Sequence, residues 1–223
     1  MQLTSFGDAA VGGPTWSPDG QKIAFHAYPG GEGFVYIISA NGGVPSRLIT
    51  DPPGGRWPNW SRDGRSIYFG TDSGGSSQVY VAAVTGGKAV QVTQDPDYPD
   101  RPHESADGRF VYYMKGYLVP QSVWRVPVEG GAGSKVLDVL RSKAFFCIGR
   151  DGVYFFSEPD EARSANLLVY EFATGKTRKI VTIKEALGGT FFEPNDISPD
   201  GRTLLYTQLD ESGSDLMLVE NFR

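Results

Sequence analysis

The sequence predicts an all-β fold, and three observations lead to that prediction. The 223 residues include 29 Gly and 15 Pro, a density that breaks helices. Hydrophobic residues make up 39% and aromatic residues 13%, which is enough apolar material to bury a core. In addition, one turn motif recurs along the whole chain at nearly constant spacing. Fixed spacing of this kind indicates a repeat architecture.

The recurring motif is Ser-x-Asp-Gly, which ends at Gly20, Gly64, Gly108 and Gly201, with a degenerate copy ending at Gly152. The steps between successive copies are 44, 44, 44 and 49 residues. Asp-Gly suits a tight hairpin because Gly readily adopts a positive φ. A second turn motif recurs in phase with the first, at 41–43, 85–87, 129–131 and 173–175. Two unrelated turn motifs in phase define a repeat of 44 residues.

Each repeat contains four short segments in which apolar residues alternate and β-branched and aromatic residues are frequent, as expected of strands. About 44 residues and four strands is the size of a β-propeller blade. We therefore expect one domain, 1–223, that forms a β-propeller of about five four-stranded blades. The predicted blades are approximately 12–50, 54–94, 98–138, 142–183 and 190–223.

The two ends of the chain predict how the propeller closes. Residues 190–223 supply three strands of a blade, and Gln2-Leu3-Thr4 resembles the fourth strand of the second blade, Gln91-Val92-Thr93. We expect strand 2–5 to pair with the last blade, which would remove two unpaired sheet edges. The alternative is a fragment of a propeller with six or more blades, because a window cut from a longer array would have the same ends.

Three copies of the motif resemble the WD-like repeat of TolB-type propellers: Trp-Ser-Pro-Asp-Gly (16–20), Trp-Ser-Arg-Asp-Gly (60–64) and Ile-Ser-Pro-Asp-Gly (197–201). The resemblance covers nearly the whole chain. It implies a bacterial protein-binding or ligand-sensing platform that is often periplasmic, or the propeller that caps a peptidase. The tail 214–223 resembles the end of regulator-linked propellers, so the chain is also expected to be the C-terminal part of a larger regulator.

Charge and composition exclude several classes of protein. Lys and Arg total 21 against 26 Asp and Glu, so no basic surface for nucleic acid is expected. No apolar run approaches the ~20 residues of a membrane span. Residues 1–8 lack the features of a signal peptide, and only the resemblance favours the periplasm. With Cys147 alone, a disulfide framework is excluded.

The motifs of common catalytic and metal sites are missing. There is no Gly-x-Ser-x-Gly elbow, and the acidic stretch 95–100 lacks the Gly and final Glu of a calcium loop. Two histidines cannot by themselves hold a metal, and His26, just after the second strand, is expected to be exposed. We expect no catalytic residue, no cofactor and no metal.

Register within the first strand of each repeat predicts a binding surface. Residues four before the turn glycine, such as Trp16 and Trp60, should pack between blades, while those five before it point to the opposite face. The second set is mostly polar and should point towards a neighbouring blade or the axial channel. With the preceding loops and Glu104, the candidate binding residues are Arg56, Trp57, Asn59, Arg101, His103, Glu104, Phe192 and Asp196.

Two interpretations of these residues stay open. They bind a peptide, small ligand or ion, since Arg and aromatic side chains are the usual interface anchors, or they satisfy one another and hold channel water. The alternative to a binding module is a five-bladed glycan hydrolase that uses Glu104, Asp196 and Glu193. Such enzymes place two carboxyl groups about 5–10 Å apart.

Overall fold

The computed structural model describes residues 3–72, 76–116, 121–139, 146–157, 160–161, 164–184, 193–198, 202–209 and 214–220. Within these ranges the only helical element is a 3-10 turn at Pro29–Gly31, and all other regular structure is β-strand. The prediction of an all-β fold is confirmed.

Most of the strands form five small antiparallel sheets. In spatial order, the first sheet contains β1 (Val11–Trp16), β2 (Lys22–Ala27), β3 (Phe34–Ser39) and β4 (Ser46–Arg47). The second contains β10 (Val90–Gln91), β8 (Gln78–Ala83), β7 (Ser66–Thr71) and β6 (Arg56–Trp60). Between them, β5 (Thr50–Asp51) pairs in parallel with β9 (Gly87–Lys88).

The remaining three sheets follow the same plan. The third contains β11 (Asp100–Glu104), β12 (Phe110–Lys115), β13 (Gln121–Pro127) and β14 (Ser134–Val139). The fourth contains β15 (Phe146–Ile148), β16 (Gly152–Phe156), β17 (Ala165–Glu171) and β18 (Lys176–Ile183). The fifth contains three strands among the described residues, β19 (Glu193–Ile197), β20 (Thr203–Leu209) and β21 (Ser214–Glu220).

The Ser-x-Asp-Gly motif forms a hairpin turn that is closed by hydrogen bonds within the turn. Ser17 Oγ donates to Asp19 Oδ1 at 2.6 Å, and the same Asp19 oxygen accepts the Gln21 N–H at 3.0 Å. The Lys22 N–H donates to Ser17 Oγ at 2.9 Å, and Gly20 has φ 68°. These bonds lower the pKa of Asp19, with the Ser17 hydroxyl as the largest cause. The motif therefore recurs because each of its side chains completes the turn.

The chain divides into two compact units. The first comprises 1–104, 108–116 and 124–135, which contain the first two sheets and most of the third. The second comprises 105–107, 117–123 and 136–223, which contain the fourth and fifth sheets.

In the first unit, Trp60 packs one sheet on the next, as predicted, whereas Trp16 in the same register is 54% exposed and the prediction for it is wrong. Trp60 is only 5% exposed and lies in a cluster with Ile67 and Phe69 of its own sheet and Val35 of the first. Its Nε1–H also donates to the Thr15 carbonyl of β1 at 3.1 Å. In the second unit, Ile197 occupies the same register and is buried in a cluster with residues of the fourth sheet.

The predicted N-terminal strand is wrong for the residues that the structure describes. Residues 3–5 lie outside any strand, and Gln2 lies outside the described residues. Leu3 and Phe6 instead pack against buried side chains of the first sheet, among them Phe25. Leu3 and Phe6 are thus held by apolar contact with the face of the first sheet.

Substitutions of Trp60 and Trp16, which are equivalent in the repeat, compare the stability contributed by a buried and by an exposed tryptophan. We expect Trp60→Ala to lower the free energy of unfolding by about 3–5 kcal/mol, because it leaves a cavity between two sheets. Trp16→Ala is the matched control, since Trp16 is 54% exposed, and it should cost well under half as much. Urea unfolding followed by circular dichroism measures both. Equal losses would contradict the assignment of Trp60 to the sheet interface.

Candidate functional site

The first strand of each sheet in the first unit is interrupted by a β-bulge. Pairing shifts between Gly12 and Thr15 in β1, with equivalent shifts in β6 and β11. The same residue of each bulge is left-handed: Gly13 at φ 57°, Trp57 at φ 51° and Arg101 at φ 52°. That conformation suits Gly but costs other residues about 1–2 kcal/mol. Trp57 and Arg101 therefore occupy positions where the backbone alone would favour glycine.

Tyr98, three residues before Arg101, is another residue other than glycine with a left-handed backbone. It has φ 53°, whereas Gly54, its equivalent 44 residues earlier, has φ 95°. The Tyr98 side chain is 44% exposed. We call Trp57, Tyr98 and Arg101 the left-handed residues. Tyr98 was not among the predicted site residues, although the change from Gly54 to Tyr98 at repeat spacing is visible in the sequence.

His26, Trp57 and Arg101 form a stack that crosses three sheets of the first unit. The Trp57 N–H donates to His26 Nδ1 at 3.3 Å, and the two ring centroids lie 4.7 Å apart. The Arg101 guanidinium carbon lies 4.8 Å from the centroid of a Trp57 ring, a cation–π contact. His26 also meets the Tyr28 ring edge-on at 5.4 Å. The prediction that His26 is exposed is wrong: it lies within β2 and is buried.

Glycines make room for this stack. A side chain at Gly13 would come within 2.9 Å of His26 Nδ1 and 3.2 Å of Trp57 Cε3. The first bulge thus contributes space, and the other two contribute side chains.

The two histidines are neutral at physiological pH. Burial lowers the pKa of His26 to about 4, and the positive charges of Arg56 and Arg101 act in the same direction. Burial and Arg101 likewise lower the pKa of His103 to about 4. Asn59 Nδ2 lies 3.1 Å from His103 Nδ1, so the neutral ring accepts from the amide there and carries its proton on Nε2. The structure thus brings together two of the predicted residues, Asn59 and His103.

Arg56 is an internal anchor. Its Nε–H donates to Asp100 at 3.0 Å, and its two Nη groups donate to the two Asp72 oxygens at 2.7 and 2.9 Å. Nη2–H also reaches Ser77 Oγ at 2.9 Å. Burial opposes the charge, but the two carboxylates raise the pKa of Arg56 overall. A side chain at Gly70 would collide with the Asp100 carboxylate. The Nε and both Nη groups of Arg56 therefore all have partners within the protein.

The Glu104 carboxylate accepts hydrogen bonds from residues of the second repeat. It occupies the register that Trp60 holds in that sheet, and its carboxylate accepts the Arg62 N–H at 3.3 Å and a hydrogen bond from Tyr68. Burial raises the pKa of Glu104, although these two hydrogen bonds act to lower it. Burial, followed by the Glu104 charge, raises the pKa of Tyr68. A carboxylate can replace Trp at this position because the facing sheet supplies two donors.

The remaining two predicted residues are Asp196 and Phe192. Asp196 belongs to the second unit, where its Oδ1 accepts the Ile197 N–H at 2.8 Å. Its side chain is exposed, yet nearby protein that desolvates the carboxylate raises its pKa. Phe192 lies outside the described residues.

Two aspartates of the acidic stretch 95–100 form ion pairs with one lysine. Lys115 Nζ lies 2.9 Å from an Asp95 oxygen and 3.2 Å from an Asp97 oxygen. Across the part of the chain that the structure describes, no cluster of three or more His, Cys, Asp or Glu is arranged to hold a metal ion. Nor does any helix among the described residues have the length and apolar character needed to cross a membrane.

A pair of substitutions at Tyr98 tests whether its backbone is strained. Tyr98→Gly and Tyr98→Ala both remove the ring, but only Gly is relaxed at φ 53°. We expect the Gly variant to be more stable than the Ala variant by roughly 1 kcal/mol. Thermal and urea unfolding of the two variants measure the difference. If the Ala variant were the more stable, the left-handed conformation would not be a constraint in solution.

The buried histidines predict that stability falls on acidification. Their folded pKa of about 4 lies below the ordinary 6.5, so the unfolded chain binds more protons between these values. Stability is therefore complete above pH 6.5 and is lost as pH falls, by roughly 1–2 kcal/mol per histidine at pH 5. His26→Gln should lose less stability than the wild type between pH 7 and pH 5. An unchanged slope, or a histidine titrating near 6.5 by NMR, would contradict this.

Comparison with known proteins finds solved structures with a similar fold. The described geometry resembles TolB from Acinetobacter baumannii, at 15% identity and a TM-score of 0.72 over 96% of this chain and 52% of that one. It also resembles a chain of the nidogen/laminin complex (12% identity, TM-score 0.70, 97% of this chain and 79% of that one). A third similar structure is the acylaminoacyl peptidase of Pyrococcus horikoshii, at 14% identity and a TM-score of 0.61 over 95% of this chain and 38% of that one.

At these identities the likeness concerns the fold alone, and the chain spans about half the length of the TolB structure. No curated protein matches the sequence significantly. The model of the TolB beta propeller domain matches residues 2–139, more than half of the 223 residues. The chain belongs to the TolB β-propeller domain family.

Proposed function

We propose that this chain is a non-enzymatic binding propeller that recognises a protein or peptide partner, or senses a ligand, through Trp57, Tyr98 and Arg101. The observation that supports this most directly is the strained backbone at all three positions. Bulky residues in the left-handed region persist where their side chains are needed, and such strain is concentrated at functional sites. Equivalent positions 13 and 54 use glycine, so the fold itself does not require these side chains.

The chemistry of the three side chains suits a peptide. Trp and Tyr offer large apolar surface at low entropic cost, and Arg pairs with carboxylates and carbonyl groups. The Trp57 backbone N–H donates to His26, and its side chain contacts the His26 ring and the Arg101 guanidinium. A surface already held in one geometry loses less entropy when it binds.

The internal bonds of the neighbouring residues support the same proposal. Arg56 and its carboxylates fix the start of β6 against β11, next to Trp57 and Arg101. Asn59 and His103 add a neutral polar pair in the same two strands. In this proposal Arg56 positions the binding residues, and the left-handed residues make the contacts.

The hydrolase alternative receives less support. Its best candidate acid, Glu104, accepts hydrogen bonds from Tyr68 and the Arg62 N–H. A carboxylate engaged in this way serves the contact between sheets and is poorly placed to exchange protons with a substrate.

The wider setting of the protein is part of the proposal. The tail 214–223 and the TolB resemblance favour the C-terminal part of a larger bacterial regulator, with the propeller in the periplasm. The similar TolB structure is about twice as long as the segment it shares with this chain, which is compatible with that setting.

Peptide selection tests the proposed surface without a known partner. Peptides from a random phage-displayed library are selected on the full chain, and their affinities are measured by fluorescence polarisation. We expect Arg101→Ala and Tyr98→Ala each to weaken binding by about tenfold or more, as for interface anchors. Val44→Ala is the control, because Val44 is 94% exposed and lies on a turn of the first sheet.

Two outcomes would contradict the proposal. One is a set of peptides that bind the wild type and all variants equally. The other is hydrolysis of aryl glycosides that is abolished by Glu104→Gln in a variant that remains folded, which would favour the enzyme.

A further inference from the structure

The outer strand of the fourth sheet is long, whereas the equivalent strands of the first two sheets are short. β18 has eight residues, Lys176–Ile183, and is the last strand in the sheet order β15, β16, β17, β18. Its equivalents β4 and β10 have two residues each. Short outer strands protect a sheet from pairing with other chains. β18, roughly 27 Å long at its ordinary rise per residue, does not have this protection.

One edge of β18 is paired along its whole length, and the other edge is open. Its partner is β17, from Glu171 opposite Lys176 to Ala165 opposite Ile183. No strand among the described residues pairs with the opposite edge. In an antiparallel pair, alternate residues direct both backbone groups away from the partner strand. About four residues of β18 therefore offer their N–H and C=O groups at the open edge.

The strand is also held firmly in its own sheet. Ile180, Val181 and Ile183 pack against the buried cluster of the second unit. In the turn before the strand, the Gly175 N–H donates to the Glu171 carbonyl at 2.9 Å, and Gly175 has φ 64°. A strand added at the open edge would thus meet a template that is already ordered, which lowers the entropic cost of binding.

The open strand is basic in a chain whose net charge is -5. Residues 176–184 contain no acid and four exposed cations, Lys176, Arg178, Lys179 and Lys184. Glu171 neutralises one of them, since its carboxylate accepts from Arg178 Nε at 2.9 Å. Within the described part of the chain, no carboxylate lies within ion-pair distance of the three lysines. The strand therefore carries uncompensated positive charge.

The basic side chains are distributed over both faces of the strand. Pairing with β17 is regular from Lys176 to Lys179 and shifts at Ile180, before Val181. Along the regular part, successive side chains point to opposite faces, so Lys176 and Lys179 lie on different faces. A strand that matched this charge would carry acidic side chains on both of its faces.

We propose that the open edge of β18 binds an extended acidic segment of a partner protein as an additional strand. The open backbone groups supply the hydrogen bonds, and the lysines select acidic side chains by charge. The same lysines disfavour pairing with β18 of a second copy, because like charges on facing strands repel. A nucleic acid would match the charge but would not use a row of strand hydrogen-bonding groups. This surface shares no residue with the left-handed residues.

Fluorescence polarisation on the full chain tests the proposal, in ~0.15 M salt so that distant charges are screened. The probe is a fluorescein-labelled peptide in which Glu and Thr alternate over eight residues, the length of β18. We expect it to bind at least ~tenfold more tightly than the same peptide with Lys in place of Glu. Lys176→Glu with Lys179→Glu should weaken its binding by at least ~tenfold.

The control is Lys22→Glu with Lys88→Glu. These exposed lysines of β2 and β9 give the same change of net charge away from β18, so the affinity should be nearly unchanged. Where the β18 variant does not fold by circular dichroism, Lys176→Gln with Lys179→Gln takes its place and should still weaken binding.

A modified probe tests the backbone pairing separately from the charge. One form of the acidic peptide is N-methylated at every Glu and another at every Thr, so that each loses the N–H groups of one edge. Only one edge of an added strand faces β18, so one form should bind like the unmodified peptide and the other at least ~tenfold more weakly.

Three results would overturn the proposal. The first is equal binding of the acidic and basic peptides, or equal binding of the wild type and the folded β18 variant. The second is equal binding of the two N-methylated peptides, which would show attraction by charge without strand addition. The third is tighter binding of a labelled oligothymidylate than of the acidic peptide, which would assign the basic strand to nucleic acid.

Discussion

Packing of one blade face on the next is the constraint on which the rest of the described structure depends. A four-stranded sheet of roughly 40 residues cannot bury its apolar face alone, so each repeat needs a neighbour. Trp60 shows how the neighbours are joined, with its ring in a cluster drawn from two sheets and its Nε1–H on a β1 carbonyl. Where Glu104 replaces Trp at this register, Tyr68 and the Arg62 N–H compensate.

The candidate site follows from the same stacking. Because successive blades are in register, bulges 44 residues apart bring Gly13, Trp57 and Arg101 to equivalent places. The stack of His26, Trp57 and Arg101 then joins three blades. Arg56 and Asp100, also at equivalent positions, hold these strand starts together. A feature repeated for structural reasons thus carries a row of different side chains, and this row contains residues of the binding surface that we propose.

Much of the fold could be predicted because it depends on local chemistry. The Ser-x-Asp-Gly hairpins close through hydrogen bonds between residues two to five apart. The sequence motif is therefore sufficient to predict the turn. Asn59 and His103 were predicted as site residues by counting register back from those turns, and Trp57 and Arg101 from the segments that enter the first strands, whereas the contacts among them were not predicted. The N-terminal segment was not predicted correctly, because residues 3–5 resemble a strand in sequence but lie outside any strand.

The sequence by itself determined the all-β class, the repeat of 44 residues and the faces on which Trp16 and Trp60 lie. Only the tertiary structure decided that His26 is buried, that Arg56 is an anchor, and that Trp57, Tyr98 and Arg101 are left-handed. The physical reason is distance along the chain. Hairpins and strand faces depend on neighbours a few residues away, whereas burial, ion pairs and the strain that a bulge tolerates depend on contacts made when separate blades pack.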